Sequence, residues 1–357
     1  MELLYLMNVD WTWIRQRPHI LARALGELYD VKVLYPSYLT RPWRMQRTPK
    51  AKKSVAIPQL PFHEGNGLLN RIQSRITKQY LKNMGSYDAV WFCGAEYFDW
   101  MPKGYKGIVI YDVMDDVVAL QKTELMRHKI QRQHRELLRR ADILFVTSEY
   151  LYKSLSAEEQ KKAVLVRNGV LRGEVHPPHG CNKKDSYRLG YVGTISEWLD
   201  YDLLRAVAQA MPNIKLDFYG PKVTQYTAIP NLTEHGIVEH NKIYVAVKDC
   251  DCLMMPFVIN QITLAVDPVK LYEYISFGKC IISVFYPEIE RFAPFVYFYH
   301  TQEELIALLQ KLAENGFPTK YSQTEQLEFL DKNTWEARVG QVERQINSKF
   351  EQKIKKD

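Results

Sequence analysis

The chain has 357 residues, 46% hydrophobic and 25% charged, with a formal net charge of +7. Its length suits two domains of about 150–200 residues, each able to bury its own core. No apolar run approaches the ~20 residues of a membrane-spanning helix, and MELLYLMNVDWTW has neither the basic start nor the small-residue cleavage site of a signal peptide, so neither is expected.

The first half alternates two kinds of segment. LLYLMNV opens as a buried strand, and RPHILARALGEL follows as an amphipathic helix. VKVLYPS, DAVWFCG, GIVIYDV, ADILFVTS and AVLVRNGV are further strand-like runs, and LMRHKIQRQHRELLRRA is one of the helices between them. Apolar strands spaced by helices predict a parallel, doubly wound sheet. Residues 171–186, LRGEVHPPHGCNKKDS, lose this pattern, and 173–186 reads as a linker. The alternation restarts with YRLGYVGT, LLRAVAQAM, IKLDFYGP, NLTEHGIV, DCLMMPF, VKLYEYISFG and KCIISVFY. The expected organisation is a domain over 1–172, the linker, a second domain over 187–335, and a polar C-terminal helix over 336–357.

The cysteines, Cys93, Cys181, Cys250, Cys252 and Cys280, are odd in number, and several sit in strand-like runs, so reduced core thiols are expected. Cys250-x-Cys252 has the wrong spacing for a zinc knuckle, and no His/Asp/Glu cluster argues for a metal. Asp249-Cys-Asp251 precedes its apolar run, which places it at the entering end of a strand, away from where parallel sheets bind ligands. No GxGxxG follows the first strand, which argues against a nicotinamide enzyme. Neither a cofactor nor a metal is expected.

Asp112, Asp115 and Asp116 in YDVMDD stand at the carboxyl end of an apolar strand, where one of them, with Asp115 favoured, is suited to take a proton from an attacking hydroxyl. The competing reading is an Asp pair capping a helix. In the loop after the first strand, Arg15 and Arg17 suit phosphates or an acidic acceptor, and Trp11 and Trp13 suit stacking on sugar rings. The alternative there is packing. Gly193, followed by Thr194, and Gly220 close strands, where small residues let a diphosphate approach backbone amides. The basic run at 41–53 and the basic amphipathic segment at 68–84, with Leu69, Ile72, Ile76 and Tyr80 on one face, read as contacts to an anionic membrane surface.

WIRQRPHILARAL, YDVMDD, ADILFVTSEYLYKSL, RNGV, LGYVGTISEWLDYDLL, FYGP and PFVINQITLAVDPVKLYEYISFGKCIISV occur in the order seen in bacterial glycosyltransferases of the GT-B type. Together they resemble the teichuronic-acid and capsular polysaccharide transferases. The resemblance spans both halves. It implies an α/β GT-B fold, with two Rossmann-like doubly wound parallel-sheet domains facing a central cleft. It implies a transferase that takes a UDP- or dTDP-linked sugar to a lipid-linked or oligosaccharide acceptor, at the inner face of the cell membrane in the cytoplasm. The helix carrying VKLYEYISFG matches the end of the family's Glu-x7-Glu motif, and Glu273 matches the second glutamate, which holds the donor ribose. Position 265, where the first glutamate would stand, is alanine. Asp267, two residues on, is a candidate to replace it at the donor sugar, or an N-cap ahead of Pro268. The family's Arg and Lys after the first strand of the second domain are also missing from GTISEWLD, and Lys270 is the candidate to meet the diphosphate instead. His240 and Asn241 fall where the family holds the nucleobase. A sugar-nucleotide 2-epimerase on the same fold, or a degenerate transferase serving as an assembly subunit, are the competing functions; no nucleic-acid reader motif accompanies the positive charge.

Overall fold

Runs such as Ala89–Phe92 and Ile143–Val146 are buried at every position, as strands covered on both faces must be. In the computed structural model, which describes residues 1–38, 51–61, 67–173, 175–180 and 182–355, these runs build two sheets. The first contains β1 (Glu2–Leu6), β2 (Asp30–Tyr38), β3 (Lys53–Gln59), β4 (Ala89–Phe92), β5 (Ile108–Val113), β6 (Ile143–Val146) and β7 (Ala163–Leu165), in the order β3-β2-β1-β4-β5-β6-β7. The second contains β8 (Tyr187–Val192), β9 (Ile214–Tyr219), β10 (Leu232–Gly236), β11 (Cys252–Met255), β12 (Cys280–Val284) and β13 (Tyr297–Tyr299), in the order β10-β9-β8-β11-β12-β13. Every pairing in both sheets is parallel. The order reverses between β1 and β4 in the first sheet and between β8 and β11 in the second. In open parallel sheets ligands bind beyond the carboxyl ends of the strands at such a reversal.

The chain divides into a unit of Met1–Arg167 with Glu336–Asp357 and a unit of Asn168–Trp335. The C-terminal helix, Trp335–Ile354, packs in the first unit, where Val342 and Ile346 are fully buried and Asn347 accepts from the Tyr29 hydroxyl at 2.7 Å. Residues 173–186 fall in the second unit. There the His176 and His179 amides donate to the carbonyls of Ser276 and Gly278, each at 2.9 Å. Of the basic run at 41–53, residues 41–50 lie outside the described residues, as does Cys181. Cys93, Cys250, Cys252 and Cys280 are free and buried.

β3 is a strand not named from the sequence. It carries Pro58 and two-sided partial exposure, both tolerated because it is an edge strand. The helix Gly67–Leu81 buries Gln73, Thr77 and Leu81 and leaves Ile72 exposed. Gln73 wins that position by hydrogen bonding, accepting from the Leu60 amide at 2.9 Å and donating to the Pro58 carbonyl at 3.1 Å.

Candidate functional site

In the second unit, the strand reversal lies between the ends of β8 and β11. β8 is followed by Gly193 (φ +147°) and β9 by Gly220 (φ +150°), left-handed conformations that favour glycine. The two turns touch through backbone alone, since a Cβ at Gly220 would collide with the Gly193 carbonyl oxygen. A Cβ at Gly193 would strike the Lys270 side chain, whose Nζ would lie 2.9 Å away. The Gly193 amide donates to the Tyr219 carbonyl at 2.8 Å and the Gly220 amide to the Gly236 carbonyl at 2.7 Å. Thr194, half-buried, accepts from the Tyr191 hydroxyl through its carbonyl at 3.1 Å. The loops beyond β8 and β11 are zipped together, with Val258 N donating to Trp198 O at 2.8 Å and Asp200 N to Pro256 O at 2.9 Å.

Lys270 stands in the first turn of the helix Val269–Ser276, whose N-terminus has no side-chain cap. Its ammonium lies 5.7 Å from the centre of the Tyr191 ring and 5.8 Å from that of Phe257. Burial pulls its pKa down, against the opposing charge of Glu273. Among the described residues no group accepts a hydrogen bond from it. One turn on, the Glu273 carboxylate receives His240 Nε2 at 3.0 Å and remains partly open. Asn241 beside it is exposed. Gly193, Thr194, Gly220, His240, Lys270 and Glu273, named from the sequence, thus gather in one region. Gly278 ends the helix with φ +65°, as its C-terminal glycine should.

Asp267 departs from both of its expected roles. The helix takes Pro268 as its N-cap, and Asp267 is buried ahead of it. Its carboxylate is held by Arg291, by the Tyr272 hydroxyl at 3.2 Å and by the Asn168 amide, while Asn168 Nδ2 donates to the Asp267 carbonyl at 2.7 Å. A carboxylate neutralised on every side is an anchor for the start of this helix rather than a sugar contact.

In the first unit, Arg17 and Asp112 also depart from expectation. Both are buried, and the guanidinium grips the carboxylate bidentately, Nε to Oδ2 at 2.9 Å and Nη2 to Oδ1 at 2.9 Å. Arg17 Nη1 also donates to the Val166 carbonyl at 2.8 Å. The pair ties the Arg17–Leu28 helix to β5 and to the segment after β7. Trp11 is buried too, edge-on to His19 and tilted against Tyr35, so it packs the core rather than a sugar. Burial lowers the pKa of His19 to about 4, which keeps it neutral. Trp13 and Arg15 remain half-buried in the loop after β1. Asp10 braces that loop, accepting from the Thr12 amide at 2.9 Å and the Tyr38 amide at 3.1 Å.

Asp116 caps a turn, its Oδ1 accepting from Val118 N at 3.2 Å and Ala119 N at 2.9 Å. Asp115 is left with its pKa raised to about 6, first by burial and then by the charges of Asp112 and Asp116.

One acid escaped the sequence reading. Glu96 follows β4 in the short turn Ala95–Trp100, and its half-buried carboxylate folds back over Gly94, where a Cβ would lie 2.9 Å from Glu96 Cδ. Burial raises its pKa, opposed by its own amide and by Lys129. The clue was a glycine two residues before an acid, directly after the apolar run VWFC. Among the described residues no group of three His, Cys, Asp or Glu side chains is placed to hold a metal ion.

No protein-family model matches the chain. It is 24% identical over 222 residues to TuaH of Bacillus subtilis (strain 168), assigned as a teichuronic acid biosynthesis glycosyltransferase. The match covers 55% of this chain and 55% of TuaH, so the chain spans about half the length of the curated relative it matches. Among solved structures, the lipopolysaccharide outer core galactosyltransferase WaaB superposes with a TM-score of 0.66 at 13% identity, covering 98% of this chain and 100% of WaaB. HepE of Anabaena, determined with UDP and glucose, gives 0.70 at 11% identity, over 97% of this chain and 99% of HepE. TarM gives 0.65 at 8% identity, over 97% of this chain and 99% of TarM. The chain therefore has the α/β GT-B fold, two Rossmann-like parallel-sheet domains, and the resemblance drawn from its motifs holds.

Proposed function

We propose that the chain is a glycosyltransferase of polysaccharide biosynthesis. It needs no metal and moves a sugar from a UDP- or dTDP-linked donor to a lipid-linked or oligosaccharide acceptor. The observation that carries this reading is Lys270, a half-buried cation with no acceptor among the described residues, set against two glycine turns at a strand reversal and one turn from Glu273. A nucleoside diphosphate offers phosphate to the ammonium and ribose hydroxyls to the part of the carboxylate that His240 leaves open. TuaH supports the transferase reading, and HepE, determined with UDP and glucose, supports the choice of ligand. Lys270→Ala and Glu273→Ala should each weaken binding of UDP or dTDP by roughly 1–3 kcal/mol in calorimetry, the cost of a lost charged hydrogen bond. Uridine, having no phosphate, should feel only the Glu273 change, and EDTA should leave affinity and turnover unaltered. Native affinity in both folded variants removes the donor from this helix.

Within this reading the first unit serves the acceptor, and the enzyme works at the cytoplasmic face of a membrane. The helix Gly67–Leu81 exposes Leu68 and Ile72 at 68% and 39% beside the exposed Arg71, Arg75 and Lys78. No described helix is long and apolar enough to cross a membrane. Vesicles of phosphatidylglycerol in phosphatidylcholine should float the protein, pure phosphatidylcholine should not, and salt should release it, because each basic residue near such a surface contributes about 1 kcal/mol. Equal flotation with both vesicle types overturns the electrostatic docking.

A further inference from the structure

We propose that Glu96 is an acceptor-binding residue, its carboxylate accepting hydrogen bonds from hydroxyl groups of the saccharide that receives the transferred sugar. This rests on the transferase reading above. The first sheet reverses its order between β1 and β4, and Glu96 belongs to the turn that leaves β4, at the carboxyl edge where such sheets receive ligands. The two glycine turns, Lys270 and Glu273, which suit a nucleoside diphosphate, lie in the second unit, so the reversal of the first sheet is open to the other substrate.

The acids along this edge differ in what they are free to do. Asp10 braces its own loop, Asp112 is locked to Arg17, and Asp116 caps a turn. Glu96 takes no hydrogen bond from any side chain among the described residues, and no Lys or Arg forms an ion pair with it. Carboxylates accept hydrogen bonds strongly and are costly to bury without partners. A saccharide hydroxyl supplies such a partner, and a ring of adjacent hydroxyls can supply two.

The backbone under Glu96 is held in place from the core side. Gln133, fully buried in the helix Glu124–Arg140, donates to Asp99 Oδ2 at 2.7 Å and to the Glu96 carbonyl at 3.4 Å. Arg132 reaches the same Asp99 oxygen at 2.8 Å. Gly94 leaves room for the carboxylate above the end of β4, where any side chain would displace it. This is a fixed turn presenting a carboxylate held by its own amide and by no side-chain hydrogen bond among the described residues, the arrangement of a preorganised contact.

The test uses the full chain with UDP-glucose, UDP-galactose and UDP-N-acetylglucosamine as donors and p-nitrophenyl glucoside, galactoside and N-acetylglucosaminide as acceptor probes. Product is followed by chromatography, and UDP binding is measured separately by calorimetry. Glu96→Gln and Glu96→Ala should raise the KM for the productive glycoside about tenfold or more, as expected for a lost charged hydrogen bond. UDP affinity and thermal midpoint should stay at the wild-type values. An unchanged acceptor KM in both variants overturns the proposal and leaves the transferase reading standing. A parallel loss of UDP affinity or of thermal stability overturns it too, since Glu96 would then act on the donor or on the fold. Wild-type protein that neither binds UDP nor transfers sugar to any probe overturns the transferase reading and this inference with it.

Discussion

Asp115→Asn should lower turnover by about 10²–10⁴-fold, the usual cost of removing a general base, while UDP affinity stays near the wild-type value. The expectation follows from elimination along the carboxyl edge of β5. Asp112 is neutralised by Arg17 and Asp116 is engaged with the amides of Val118 and Ala119, so Asp115 is the acid of YDVMDD best placed to take a proton. Its pKa, raised to about 6 by burial and then by Asp112 and Asp116, suits a group that must pick up and release a proton near neutrality. The base acts in its ionised form. The rate should therefore climb as pH rises through about 6 and level off above, and this limb should vanish in the asparagine variant. The stability consequence has the opposite sign. The folded carboxyl holds its proton to higher pH than the unfolded one, whose ordinary value is 3.8, so stability falls as pH rises from there to about 6. Asp115→Asn should lack that fall and melt higher than wild type at pH 8, an exchange of activity for stability common at active sites. Near-native turnover, or an acid limb that persists in the variant, would show these acids to be structural.

Arg17→Ala should cost the first unit about 3–5 kcal/mol, the range for breaking a buried ion pair from one side. The substitution strands the Asp112 carboxylate, which is 0% exposed, and takes a donor from the Val166 carbonyl. It also removes the clamp between the Arg17–Leu28 helix and β5. Removing both charges is a different matter. Arg17→Met with Asp112→Leu leaves no buried charge, and apolar replacements of similar volume are often neutral or stabilising. The double variant should therefore recover most of the loss in a urea or thermal melt of the whole protein. A single variant that melts like wild type would mean that water reaches the stranded carboxylate. Turnover in the double variant decides between anchor and catalyst: retained activity would confirm that Asp112 and Arg17 hold the fold, and lost activity in a stable protein would return Asp112 to the reaction.

The sequence by itself determined the two parallel sheets and which glycine turns and helix residues come together beside β8. Apolar runs such as VWF, ILFV and CLMM have one solution when helices separate them, which is burial on both faces of a parallel sheet, and this follows from local pattern. Gly193, Gly220, Lys270 and Glu273 were legible for a related reason. Their meaning depends on nearby chain, the end of a strand or one turn of a helix, and spacing along the sequence fixes that geometry. Only the tertiary structure decided which charges face inward onto each other. Arg17 and Asp112 lie 95 positions apart, and nothing in either neighbourhood announces the partner. Asp267 looked like a cap because Pro268 follows it, yet Arg291, Tyr272 and Asn168 claim its carboxylate from distant segments. Gln73 is buried for a similar reason, because the Pro58 carbonyl and the Leu60 amide beside β3 are its partners. Glu96 was the converse case, an acid that looked ordinary until the fold half-buried it with no side-chain hydrogen bond among the described residues. Hydrophobic periodicity is written locally, whereas the pairing of buried charge depends on which distant groups the fold brings within about 3 Å, and that distance exists only once the chain has closed.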